Sequence, residues 1–442
     1  MNSYPSDLLP IIKSYCASKN KKKHIQPPPL PDEAVIANLL DISYHASFET
    51  DEGRRPGFRL ILYSPSDFEK DKRKEDEENR FRVILLEKER NLNVAEVIRL
   101  APAAELTRFL MCIKIEQNKN EPPSLFIWAL LDMGENWWKF VHHETSMGMP
   151  PPNFLTISST GPGEISISAQ GDIFASLQGG RITLPTSNAL WEGPLSVFLS
   201  KAQEQLYKDI TIRLGEKKYD PDGHDDDYPM RFYSFFLERI LFCTRLRNHG
   251  GTIICVPDYL SIDDTRLTDR LNIKYPCIYD NAWELLVSSL VNDRKYFDLH
   301  FPLWDAKIPF TQELYQKIHL LGSERDELKE VMGDVAETIA SLTSVDGAVL
   351  INDHFKVLGF GAEVIAHSPS LSEVQLVSED DKSVPLSVES FGTRHRSAFR
   401  FCSSYEDSVA FVVSQDGGVK AVKREGKNVL LWPNINAGSM GI

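Results

Sequence analysis

A break in pattern near the middle of the chain constrains its folding more than any single motif. Residues 215–229, GEKKYDPDGHDDDYP, are polar, charged and turn-rich, a composition that marks a linker rather than a packed element. Before it, short apolar runs alternate with glycine turns. FRLILYS and FRVILLEKE read as strands, separated by the charged run EKDKRKEDEENR (69–80), which predicts an exposed loop or hairpin tip. SLFIWALLDMG (124–134) is rich in β-formers, and NFLTISSTGPGEISISAQGDIFASLQGGRITLP has the alternation of a β-meander. PLSVFLSKAQEQLYKDI predicts a helix that closes this half. Residues 1–215 are thus expected to form one mixed, β-rich domain, followed by a linker at 216–229.

After the break the period changes. MRFYSFFLERILFCTRLRNH spaces its apolar residues as a helix does, and Gly250 and Gly251 stop it. TIICVP is a β-branched strand. Further helices are expected in DNAWELLVSSLV and at 326–344, then strand GAVLI, turn NDH and strand KVLGFGAEV. The acidic VSEDDKS predicts a loop. A helix near 394–403, strand SVAFVVS, turn QDGG and strand VKAV follow. Helices alternating with strands predict an α/β domain at 230–435, with a central mixed sheet flanked by helices and an α+β fold class overall.

Charge excludes some functions. Asp and Glu number 63 against 49 Lys and Arg, a formal net charge of −14, so a broad basic face for nucleic acid or a membrane surface is not expected. Any anionic ligand needs a local pocket. Cys16, Cys112, Cys243, Cys255, Cys277 and Cys402 stand far apart without a C-x-x-C pair, which predicts reduced, mostly buried thiols and a cytoplasmic protein. Neither a signal peptide nor an apolar run of spanning length is read. KNKKKH before QPPPLP, and Lys420, Lys423, Arg424 and Lys427, read as solvated charge. DPDGHDDDY reads as linker, and His142-His143 beside Trp137-Trp138 as part of an aromatic cluster.

Three short motifs crowd the last hundred residues: Asp346-Gly347-Ala348 between a helix and a strand, Gly392-Thr393-Arg394-His395-Arg396 opening a helix, and Ser414-Gln415-Asp416-Gly417-Gly418 after a strand. Their chemistry is complementary. Arginine forks and the N–H groups of a helix start hold phosphate oxygens, and a nearby carboxylate can bind a divalent cation or take a proton from a hydroxyl. Together, VDGAVLI and FGTRHRSA resemble the two signatures, DGA and GTRHR, of the diadenylate cyclase family. The resemblance covers about residues 228–432 and includes ERILFCTRLRNHGGTIICVP and SVAFVVSQDGGVKAV.

That resemblance implies an α/β domain that joins two ATP into cyclic di-AMP with release of two pyrophosphates, using Mg²⁺ or Mn²⁺. It implies that Asp346 orients or deprotonates the 3′-hydroxyl with a metal, His395 being a second metal candidate. Gly347 and Ala348 would let ribose and backbone approach, and Gly361 and Val364 would line the adenine side. Thr393, Arg394, His395 and Arg396 would hold the triphosphate, with Ser414 touching phosphate. One copy of each motif implies a face-to-face homodimer, or a higher oligomer, during catalysis. The N-terminal half would be a regulatory domain for an unidentified ligand or protein.

The chain departs from the family pattern at Val345, where membrane-linked members carry His. It departs again at Gln415-Asp416, where they carry Glu-Glu, and in the long acidic segment 365–391. The alternative left open is a related module that binds adenine nucleotide with little or no turnover.

Overall fold

The computed structural model describes residues 3–19, 27–53, 57–72, 82–117, 122–134, 137, 151–184, 189–190, 193–215, 228–247, 249–304, 311–366, 371–377, 383–414, 418–433 and 435. It divides into two compact units, Met1–Pro185 with Ser439–Ile442, and Thr186–Gly438. Among the described residues, no helix is long and apolar enough to cross a membrane.

The first unit contains α1 (Leu9–Lys19), α2 (Glu33–Ala46), β1 (Phe58–Leu62), α3 (Pro65–Lys72), β2 (Arg82–Asn91), α4 (Val94–Leu100), β3 (Phe109–Glu116) and β4 (Ser124–Asp132). β5 (Thr156–Ser159), β6 (Ile165–Ala169), β7 (Asp172–Gln178) and β8 (Arg181–Thr183) complete it. The strands make one mixed sheet ordered β2-β4-β3-β1-β5-β6-β7-β8, in which β5 to β8 form the expected meander. β1 is buried along its whole length because both sheet faces are covered. Phe58, Leu60 and Leu62 pack with Val35, Ile36 and Leu39 of α2, while Ile61 joins Tyr63, Trp128 and Leu131 on the other face.

Of the two readings of the charged run 69–80, an exposed loop or a hairpin tip, the hairpin does not form. β1 pairs with β3 in parallel and with β5 in antiparallel sense, and β2 pairs with β4. A parallel neighbour requires a crossover, and the chain supplies it through α3, β2 and α4 before β3 begins.

The second unit runs α5 (Pro194–Leu214), α6 (Tyr228–Leu246), β9 (Gly251–Val256), α7 (Thr265–Thr268), β10 (Leu271–Tyr279), α8 (Ala282–Trp304), α9 (Gln312–Leu342), β11 (Ala348–Asn352) and β12 (Val357–Val364). It continues with β13 (Glu373–Val377), β14 (Ser383–Ser387), α10 (Thr393–Ser404), β15 (Val409–Val413), β16 (Val419–Glu425) and β17 (Asn428–Trp432). Its mixed sheet is ordered β10-β12-β11-β9-β15-β16-β17-β13-β14. Central β9 is parallel to β11 and antiparallel to β15. Period-two alternation sorts the side chains. Ile253, Cys255, Val349, Ile351 and Phe411 face the core built by α5, α6, α8 and α9, whereas Ile254, Val256, Leu350 and Val412 face Ala398, Phe399 and Phe401 of α10.

Three features differ from the sequence reading. The helix expected to close the first half, α5, lies in the second unit, where Leu195, Phe198, Leu199, Ala202, Leu206 and Ile210 are buried with Tyr233 and Phe236 of α6. Its apolar stripe matches a helical layer rather than the meander. α9 starts at Gln312 rather than near 326, where the Thr311 hydroxyl accepts the Leu314 N–H at 3.2 Å. No residue from 312 to 331 is buried, although Leu314, Ile318, Leu321 and Leu328 continue the helical stripe that ends in Met332 and Val335. Finally, the expected acidic loop VSEDDKS is flanked by two strands that the sequence reading did not name, β13 and β14, an antiparallel pair attached to β17; residues 378–382 lie outside the described residues.

All six cysteines are free thiols, five of them buried and Cys277 half-buried.

Candidate functional site

Register fixes which ends of the central strands meet. Thr252 of β9 is level with Ala348 of β11 and Val412 of β15, and Gly251 with Val413. Asp346 and Gly347, which precede β11, and Ser414, which follows β15, therefore lie at the same end of the sheet. α10 joins β15 through only residues 405–408 and packs across β9, β15, β16 and β17. It must run back along β15. Its 12 residues span about 18 Å, close to the roughly 17 Å of a five-residue strand. Thr393, Arg394, His395 and Arg396 thus start their helix at this same end, the motif end.

Gly347 is glycine for a reason visible in the backbone. Its φ is +116°, and a Cβ there would stand 2.5 Å from the carbonyl carbon of Gly361 and 2.8 Å from the Ala362 nitrogen. Gly361, at φ +64°, lies in turn against the Tyr275 ring of β10. The close approach is thus of one strand to the next, which brings the Asp346-Gly347-Ala348 corner onto β12. Tyr275 stacks on Phe360 at 4.9 Å and 20°. Val364 closes β12 opposite Leu271 and is half-buried.

The start of α10 is open. Gly392 caps it without a side-chain hydrogen bond, so its first N–H groups lack the usual side-chain acceptor. Thr393 and Arg396 are exposed, Arg394 and His395 half-buried. His395 stands 5.6 Å from Phe391 and 6.3 Å from Phe399, while Ala398, Phe399, Phe401 and Cys402 anchor the helix in the core. Among the described residues neither the Arg394 nor the Arg396 guanidinium has an ion-pair or hydrogen-bond partner. Cationic forks and helix N–H groups arranged this way attract an anion such as phosphate.

Asp346 is exposed. Lys274 of β10, which the sequence reading passed over, has its ammonium held protonated by a 2.7 Å contact with Glu363, and Asp346 is among the charges that add to this. Nothing in its own stretch, LNIKYPCIY, singles out Lys274; only the pairing of β10 with β12 brings it near the motif end. Of the basic residues of the β16–β17 hairpin, Lys420 is level with Val412 near the motif end, whereas Lys423 and Arg424 do not join this site. Lys423 is level with Val409, at the other end of β15. Its ammonium donates to the Glu406 carbonyl at 3.1 Å and lies over the Phe198 ring. Arg424 donates to the Ser403 carbonyl at 2.8 Å.

Among the described residues, one cluster of three potential metal-ligating side chains occurs, Asp258, Asp353 and His354. It excludes Asp346 and His395, the two metal candidates named from the sequence, and the sequence reading had treated Asn352-Asp353-His354 only as a turn. Gln415 and Asp416, His142-His143 and residues 220–227 of the DPDGHDDDY segment lie outside the described residues.

Comparison with known proteins places part of the first unit. No curated protein matches the chain. Residues 25–132, from before α2 through β4, match the family described as probable sensor domain DACNV, an N-terminal sensor domain of diadenylate-cyclase-associated proteins.

Proposed function

We propose that this chain is a diadenylate cyclase that condenses two ATP into cyclic di-AMP and two pyrophosphates, with an N-terminal domain that regulates it. The observation that carries this reading is the meeting of Asp346-Gly347-Ala348, Thr393 to Arg396, and Ser414 at one end of one sheet. Arg394, Arg396 and the N–H groups of α10 hold the triphosphate, with Thr393 and Ser414 donating to its oxygens. Asp346 accepts the proton of the attacking 3′-hydroxyl, and His395, fixed between Phe391 and Phe399, lines the phosphate side. Mg²⁺ or Mn²⁺ would supply charge neutralisation at the α-phosphate. Asp346 would hold the ion, and substrate phosphates and water could supply its other oxygens, as Mg²⁺ favours.

The product is two-fold symmetric and the chain holds one copy of each motif, so two protomers present their pockets face to face. The sensor match at residues 25–132 supports regulation, and control of this apposition is the simplest form it can take. The deciding experiment incubates the full chain with ATP and Mn²⁺ or Mg²⁺ and measures cyclic di-AMP by chromatography. Product whose yield per protomer rises with protein concentration is expected. ATP binding without product would instead assign the chain to the nucleotide-binding modules.

A further inference from the structure

The end of the second sheet opposite the motifs carries a second constellation. Parallel β9 and β11 both finish there, and their exits deliver Asp258 from one and Asp353-His354 from the other. One carboxylate oxygen each from Asp258 and Asp353 and an imidazole nitrogen of His354 lie within 4.8 Å of one another. The turn is held rigidly. Asn352 Oδ1 accepts the N–H groups of His354 at 3.1 Å and Lys356 at 2.9 Å. The Asp353 N–H donates to the Val256 carbonyl at 2.8 Å, and the Tyr233 hydroxyl to the Asp353 carbonyl at 2.6 Å. The His354 ring stacks on Trp283 at 3.7 Å and 11°, and the Trp283 indole N–H is fixed by Asp209 at 2.8 Å.

Two observations point to a ligand at this cluster. Asp353 is only 4% exposed, and its Oδ1 is buried without a hydrogen-bond partner, an arrangement that costs free energy unless something compensates it. His354 Nε2 and Asp258 Oδ2 are 3.9 Å apart, too far for a hydrogen bond. That gap falls within the roughly 3–4 Å that separates two ligands each about 2.0–2.2 Å from one ion. Two carboxylates and a neutral imidazole carry the charge that one divalent cation cancels. Asp258 is half-exposed, so its side chain can swing inward and leave the remaining coordination position to water.

We propose that Asp258, Asp353 and His354 form a divalent transition-metal site, best matched by Zn²⁺, which ties the β11–β12 turn to the end of β9. The nitrogen ligand disfavours Mg²⁺ and Ca²⁺, which take oxygen ligands. The assignment is independent of cyclase activity, because it concerns the other end of the sheet and its test reads metal alone.

The test titrates full-length, chelator-treated protein with Zn²⁺ by calorimetry, comparing wild type with Asp353→Asn and Asp258→Asn. Asp353→Asn should lose one Zn²⁺ per chain, and Asp258→Asn should bind that ion at least tenfold more weakly. Co²⁺ should give ligand-field absorption bands in the wild type that are absent from Asp353→Asn. Zn²⁺ should also alter tryptophan fluorescence in the wild type and not in Trp283→Phe, since the metal-bound imidazole lies on that ring. If Asp353→Asn fails to fold, Asp258→Asn, a change at a half-exposed residue, decides. Equal Zn²⁺ stoichiometry and affinity in the wild type and both Asp variants would overturn the proposal, as would Mg²⁺ binding as tightly as Zn²⁺ at this site.

Discussion

The two ends of the second sheet are built to opposite rules. At the motif end, charge is exposed and uncommitted: Asp346 and Arg396 face solvent, the arginines have no carboxylate partner among the described residues, and Gly392 leaves the helix start uncapped. At the other end, the Asp258–Asp353–His354 cluster apart, the polar groups are engaged. Asp209 fixes Trp283, Trp283 stacks on His354, Tyr233 holds the turn, and Lys423 and Arg424 donate to backbone carbonyls. α5 supplies two of these braces, Asp209 and Phe198. An end that receives a large, charged substrate must leave its donors free, and an end that fixes strand geometry must satisfy them. The difference predicts where substitution harms ligand binding and where it harms folding.

Removing the brace should have the largest effect. A fragment beginning at 216 lacks α5, and so loses six buried apolar side chains of the core together with Asp209. At about 1.5–3 kcal/mol for each buried side chain, the loss is comparable with the whole stability of a domain, about 5–15 kcal/mol. A fragment 186–442 should fold cooperatively in urea, whereas 216–442 should be aggregated or lack a cooperative transition. A cooperative, equally stable 216–442 would show that the locked end needs no brace.

The next largest effect belongs to the motif end and to chemistry alone. Asp346→Asn keeps shape but removes the proposed base, and should lower cyclic di-AMP formation by about 10²–10⁴-fold, with ATP affinity changed little. Because Asp346 is exposed, the thermal midpoint should hardly move. Undiminished turnover would remove Asp346 from the proposed mechanism.

Gly347→Ala tests the one place at the motif end where the backbone itself is tight. The methyl would collide with the Gly361–Ala362 backbone and adopt a φ of +116°, costing about 3 kcal/mol or more from strain and overpacking together. Urea unfolding reads this directly. An unchanged midpoint would mean that β11 and β12 can part without penalty.

Arg394→Ala with Arg396→Ala should weaken ATP binding at least tenfold, by loss of two charge-assisted contacts. Unfolding free energy should change by less than about 0.5 kcal/mol, as for surface positions without partners. Calorimetry showing unchanged ATP affinity would refute the clamp.

The two ends were also unequally legible in the sequence. GTRHR and DGA are contiguous, so their chemistry could be read without knowing any pairing. The alternation of TIICV, GAVLI and VAFVV was equally plain, because each strand is covered on both faces. The Asp258–Asp353–His354 cluster was hidden, since its members meet only when β9 and β11 align in parallel. β10 alternates apolar residues at Leu271, Ile273, Tyr275, Cys277 and Tyr279, and the first half of α9 repeats them at Leu314, Ile318, Leu321 and Leu328, so both periods stand in the sequence although neither element was read from it. α5 was visible as a helix but not as a member of the second unit, because an apolar stripe does not name the surface it will cover. Lys274 was missed for the same reason as the cluster, its partner Glu363 belonging to the neighbouring strand.

The smallest expected effect gives the sharpest contrast. Lys423 and Arg424 are basic, close in sequence to Ser414, and would serve a triphosphate if sequence proximity decided function. Register puts Lys423 level with Val409, one strand length, roughly 17 Å, from the Ser414 end of β15. The ammonium of Lys423 is committed to the Glu406 carbonyl and the Phe198 ring, and the Arg424 guanidinium to the carbonyls of Ser403 and Gly426. Lys423→Ala with Arg424→Ala should therefore leave ATP affinity within about twofold of wild type at 0.15 M salt, where charges farther apart than roughly 8 Å are largely screened. The same pair should cost about 1–2 kcal/mol of stability, through carbonyls left without their donors. The Arg394–Arg396 pair should show the reverse, lost affinity with stability kept. A tenfold loss of ATP affinity on removing Lys423 and Arg424 would move the nucleotide to the locked end and dissolve the distinction between the two.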